Sequence, residues 1–158
     1  MRIAEDFRCF TSGGGMKKKV ATLLFNPCFH SVCLFRLANW FYRMHLAVFA
    51  KIIWYINRLL FHVDIDYRAD LAGGFVLVHG LGTVIGCEVC SIGPLTVYQG
   101  VTIGGNKGKT RVDENGKVWG QALIGKNVVI YTDAAVFGPV IISDNVKINA
   151  KQLITKDL

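Results

Sequence analysis

The sequence predicts a mainly β chain: a parallel β-helix over residues 64–158, preceded by a short α-helical segment over residues 16–63 and a flexible tail over residues 1–15. Three observations carry this. Ile124, Ile130, Val136, Ile142, Ile148 and Ile154 recur every six residues, and a fixed short repeat marks a solenoid. Before Asp64 the apolar residues recur instead at spacings of three and four, which is a helical face. The first fifteen residues end in Ser12-Gly13-Gly14-Gly15, a stretch that favours no single conformation.

The helical segment divides into two helices, over residues 28–44 and 47–61. Leu34, Leu37, Ala38 and Phe41 form the face of the first, and Ile52, Ile53, Ile56, Leu59 and Leu60 that of the second. Arg36, Arg43, Lys51 and Arg58 interrupt the apolar run, so no uncharged stretch reaches the roughly 20 residues needed to span a bilayer. The pair is expected to pack on the domain. Its basic and aromatic side chains admit peripheral membrane contact.

After Asp64 a six-residue period excludes an α-helix, whose faces recur at 3.6. It is also too regular for hairpins. A triangular coil fits, each side one short strand and one turn, with aliphatic ladders inside. Val128, Ala134, Val140 and Val146 precede ladder positions by two, and Gly125, Gly138, Asn145 and Asn149 supply turns. Earlier coils carry Ile65, Leu71 and Leu77, then Ile85, Ser91, Val97 and Ile103, where Ser91 is a polar departure. The period breaks between Ile103 and Ile124. The polar insert 105–121 is expected to leave the coil as a loop at the binding face.

Hydrophobic residues make up 52% and charged residues 18% of the 158, which excludes a disordered chain. The net charge of +7 calls for an anionic partner. No helix-turn-helix, finger or aromatic-basic ribbon is present, so nucleic acid is not expected. Five cysteines and no signal-peptide pattern predict a reducing, cytoplasmic setting without disulfides, with the inner face of the membrane as a further location. Cys87 and Cys90 have no second pair or histidine at zinc-site spacing, so no metal is expected.

Val78-His79-Gly80-x-Gly82-Thr83-Val84-Ile85-Gly86 is followed by Tyr98-Gln99-Gly100-Val101-Thr102-Ile103-Gly104-Gly105. These stretches, and the fifteen residues from Asp64 to His79, resemble the serine acetyltransferase family of hexapeptide-repeat proteins, over about four-fifths of the chain. The resemblance implies a left-handed β-helix, a homotrimer, and transfer from acetyl-CoA. His79 matches the general base, and a histidine is the natural proton acceptor near neutral pH. Asp64 matches the acid that orients it. Gly104 and Gly105 match backbone that approaches the thioester carbonyl. Thr132, Asp133, Lys147, Asn149 and Ala150 match the remaining coenzyme contacts, Lys147 toward a phosphate.

Two departures bear on the acceptor. The family has an aspartate before the base, where this chain has Val78, and an Arg-His-Pro stretch where this chain has Gly120-Gln121-Ala122. A buried zwitterion without counter-charges costs a few kcal/mol. The expected acceptor is therefore another hydroxyl, of a small molecule or a saccharide in capsule, exopolysaccharide or lipopolysaccharide modification, with Val78 and Gln121 beside it. The alternatives are L-serine O-acetylation for cysteine synthesis and a non-catalytic β-helix scaffold.

Overall fold

A chain that turns inward at every sixth residue returns each aliphatic side chain to one axis after three turns. The computed structural model, which describes residues 2–112 and 115–158, has this form. One face stacks β1 (Asp64–Ile65), β4 (Val84–Ile85), β7 (Thr102–Gly104), β12 (Ala135–Phe137) and β15 (Leu153–Ile154) in parallel. A second stacks β2 (Asp70–Leu71), β5 (Cys90–Ser91), β10 (Leu123–Ile124) and β13 (Ile141–Ile142). A third stacks β3 (Phe75–Val78), β6 (Leu95–Tyr98), β11 (Val128–Ile130) and β14 (Lys147–Ile148).

The predicted ladder holds. Ile124, Ile130, Val136, Ile142, Ile148 and Ile154 are all buried, as are Ile65, Leu71, Leu77, Ile85, Val97 and Ile103. Ser91 occupies an inward position at low cost, because its Oγ accepts the Ala72 N–H at 3.0 Å. The β-helix is left-handed, as the sequence resemblance implies.

Among the described residues four helices precede it rather than two: α1 (Arg2–Phe10), α2 (Met16–Phe25), α3 (Pro27–Arg43) and α4 (Ala47–Phe61). Pro27 at the first turn and Asn26, whose Oδ1 accepts the Phe29 N–H at 3.0 Å, start α3. His62 in the left-handed region (φ 53) ends α4. Val32 and Phe35 of α3 join the β-helix core, with the Phe35 ring 6.2 Å from that of Phe75.

The tail expected over residues 1–15 is a correction. Its residues 2–10 are helical, anchored by a buried charge together with Ile3 and Phe10, which pack against the core. The Asp6 carboxylate, fully buried, accepts from Arg36 Nε at 2.8 Å and from the N–H groups of Gly74 and Phe75 at 2.9 and 2.8 Å. The Phe7 ring lies tilted against Phe29 and the Phe10 ring meets it edge-on, with centroids at 5.3 and 5.4 Å. The glycines form the turn into α2, with Gly13 at φ 72. The insert 105–121 is more ordered than a plain loop: β8 (Arg111–Val112) and β9 (Val118–Trp119) pair antiparallel. Its residues 113 and 114 lie outside the described residues.

Candidate active site

Apart from the coil that carries the insert, the coils differ in length at one place. Register advances 18 residues from Val84 to Thr102 and from Ala135 to Leu153, but 20 from Asp64 to Val84. The two extra residues fall at the corner between β3 and β4. There the segment His79–Thr83 does what Gln99–Val101 does one coil below. His79 (φ 65), Gly80 (φ 59) and Gly82 (φ 71) all take the left-handed conformation, unusual for a non-glycine. The bulge turns His79 outward and exposed.

His79 borders a cavity of about 690 Å³, shared with Phe10, Lys18, Phe25, Cys28 and Val78. On its other side a pocket of about 180 Å³ is lined by Leu60, Phe61, Val63 and Gly80. Burial pushes the Cys28 thiol above its ordinary range, against a hydrogen bond with the His79 backbone. A thiol so placed stays protonated and inert. It is a wall of the cavity rather than a nucleophile.

Asp64 lies beside the same corner. Its N–H donates to Thr83 O at 2.8 Å, and Gly82 N–H donates to His62 O at 2.9 Å. Its carboxylate, however, is engaged by α4: Trp54 Nε1 donates to Oδ1 at 3.0 Å and Arg58 Nη1 lies 3.0 Å from Oδ2. Among the described residues no hydrogen bond joins Asp64 to the His79 ring. Sequence reasoning missed Trp54 and Arg58: their i, i+4 spacing sets them side by side but does not point to Asp64.

Thr132, Asp133, Asn149 and Ala150 stack below His79 on the same corner, one coil after another, linked by Gly100 N–H to Leu81 O at 2.9 Å, Asp133 N–H to Gln99 O at 3.1 Å and Lys151 N–H to Thr132 O at 2.9 Å. Lys147 opens β14 next to this column, exposed and with no acidic partner among the described residues. Gly104 and Gly105 are elsewhere, at the corner between the first and second faces. A side chain at Gly104 would meet nothing within 4 Å, and one at Gly105 only Gly120 O at 3.9 Å. The space above this pair is open to an incoming molecule.

Val78 adjoins His79 in the chain and lines its cavity. Gln121 does not. It belongs to the Gly104 corner, where its Nε2 lies 3.6 Å from Cys87 Sγ and its Oε1 accepts the Glu88 N–H at 3.4 Å. The hairpin insert leaves from the same corner and is tied to the last residues by Arg111 Nη1 to Asp157 Oδ2 at 2.8 Å. Within one chain His79 and the Gly104–Gly105 pair are thus one full side of the prism apart. Among the described residues no cluster of three or more His, Cys, Asp or Glu is arranged to hold a metal ion.

No protein-family model matches the chain. It is 34% identical over 158 residues to a serine acetyltransferase of Synechococcus elongatus, covering 99% of this chain and 62% of that one. It is 31% identical over 145 residues to a serine acetyltransferase of Helicobacter pylori, covering 90% and 79%. The Neisseria gonorrhoeae serine acetyltransferase solved in complex with serine superposes with a TM-score of 0.84 at 26% identity, over 99% of this chain and 62% of that one. Isoform 3 from Entamoeba histolytica, solved with cysteine, gives 0.83 at 25%, over 99% and 54%. The chain therefore spans a little over half the length of several relatives it matches. Identity at this level across most of the Helicobacter protein, on the same left-handed coil, shows that the chain belongs to the serine acetyltransferase family.

Proposed function

We propose that the chain is an acetyl-CoA-dependent O-acetyltransferase with His79 as its general base. The observation that carries this is the two-residue bulge, which spends left-handed backbone on presenting one imidazole to a cavity. A histidine needed only for structure gains nothing from that exposure.

The chemistry follows from the positions. The acceptor hydroxyl gives its proton to the His79 imidazole as its oxygen attacks the thioester carbonyl. Negative charge gathers on the thioester carbonyl oxygen, and backbone N–H groups at Gly104–Gly105 stabilise it. Collapse breaks the C–S bond and releases an ester, and the imidazolium returns the proton to the departing thiolate. Asp64, turned from Arg58, orients and stabilises the imidazolium. The column of Thr132, Asp133, Asn149 and Ala150, with Lys147 beside it, flanks coenzyme A. Because His79 and Gly104–Gly105 stand at different corners, the site needs the corner of one subunit against that of another, in a homotrimer.

L-Serine is the acceptor that the relatives' names support, ahead of the saccharide expected from the sequence. The gonococcal relative bound to serine supports it further. The saccharide reading stands second, on Val78 and on a Gln121 whose amide is neutral and already engaged. The test is thiol release from acetyl-CoA with L-serine and with a panel of saccharides. Acceptor-dependent release supports the proposal. None with any hydroxyl would leave a β-helix scaffold.

A further inference from the structure

A helix packed on a domain ordinarily turns its polar face to water. The α4 helix turns a second apolar face to water. Ala50 and Asn57 face inward, Asn57 Nδ2 donating to Ser31 O at 3.1 Å. At 100° per residue, Val48, Ile52, Tyr55 and Leu59 share the opposite face, each more than half exposed. Lys51 and Arg58 edge it. The α2 helix repeats the composition, with Lys17, Lys18 and Lys19 beside exposed Val20, Leu23, Leu24 and Phe25.

Charge is distributed to match. Residues 16–63 hold seven of the 18 Lys and Arg and none of the 11 Asp and Glu. The other basic and acidic residues balance, so the helical segment carries the whole net charge of +7. Lys17, Lys19 and Lys51 have no acidic partner among the described residues.

We propose that this face docks on an anionic lipid bilayer, with α4 lying in the interface. An apolar face edged by cations, with Lys51 free of any acidic partner among the described residues, suits acyl chains beneath anionic headgroups. A second copy of the chain would bring up the same positive charge. No single helix among the described residues is long and apolar enough to cross a membrane; α2 and α3 together pass that test but meet at 64°.

Flotation of the full chain with vesicles tests this, using phosphatidylcholine with and without phosphatidylglycerol. Binding is expected only with the anionic lipid, weakening as salt screens the charge. The double variant Ile52→Glu, Leu59→Glu should lower the bound fraction at least about tenfold by removing buried apolar area. Lys51→Gln should lower it roughly fivefold, as for one basic residue at an anionic surface. Both variants change exposed side chains, so circular dichroism and thermal midpoint should stay as in the parent. Three outcomes overturn the proposal: no flotation of the parent with anionic vesicles, flotation unaffected by the double variant, or a fall in assembly mass in the double variant without vesicle binding by the parent, which would make the face a contact between copies.

Discussion

The Arg58 guanidinium stands 3.0 Å from the Asp64 carboxylate, with the Trp54 indole N–H at 3.0 Å on its other oxygen. The acid proposed to serve His79 is therefore held by a helix in the free chain, and must exchange Arg58 for an imidazolium as one forms. Arg58→Gln should change kcat/KM by less than about tenfold, since a half-exposed pair contributes little. Asp64→Asn should lower it roughly 100-fold or more by removing the charge itself. Steady-state kinetics on the two variants decides, and equal losses would mean that the ion pair, not the free acid, is what the site requires.

Asp6 and Arg36 form the buried pair that docks α1, with side chains 0% and 9% exposed. Arg36 also donates to Leu71 O and Ala72 O, each at 2.6 Å. Asp6→Ala leaves a buried guanidinium without its counter-charge and strands the N–H groups of Gly74 and Phe75. The expected loss is about 3–5 kcal/mol, read by urea denaturation. A loss below about 1 kcal/mol would show that the α1 anchor contributes little.

Asp70 gives the pH dependence. Burial pushes its carboxyl up, but Arg2 at 2.6 Å and Arg43 at 2.7 Å outweigh that and hold it below the ordinary range. The folded state thus binds its proton less readily than the unfolded state. The stabilisation is complete above about pH 4, the ordinary Asp value, and fades as pH falls through the depressed one. Asp70→Asn should cost up to about 1 kcal/mol at neutral pH, the range for exposed pairs. Thermal midpoints of parent and variant should differ near neutrality and converge in acid; a constant difference would contradict the assignment.

Much of this architecture was legible in the sequence, because a coil with a dry interior forces an aliphatic residue at every sixth position. The place of the proposed base was legible too. The step from Leu77 to Ile85 exceeds the period by two residues, and that excess is the bulge that carries His79. The α1 helix was not legible, since its anchor is Asp6, a charge whose partner lies thirty residues on. Nor was the split between Gln121 and Val78, which requires knowing the corner at which each coil turns. The Asp64 engagement with Trp54 and Arg58 depends on how α4 lies across β1, which no local pattern encodes.

If the site is built from two corners of different subunits, two inactive variants should complement. His79→Ala spoils one corner and Gly105→Trp fills the open space at the other. Co-expressed, they should form mixed trimers in which some sites are intact and activity returns. Light scattering should give three copies per particle. A stable monomer with full activity would contradict the shared site.

The most direct measurement is acetyl transfer by His79→Ala. Removing a general base typically costs about 100- to 10,000-fold. Coenzyme A binding should change little, because Thr132, Asp133, Lys147, Asn149 and Ala150 are untouched. The kcat of His79→Ala should fall within that range, with folding, assembly and coenzyme affinity retained. Near-parental transfer by a folded, assembled His79→Ala would contradict it and leave the bulge a structural turn.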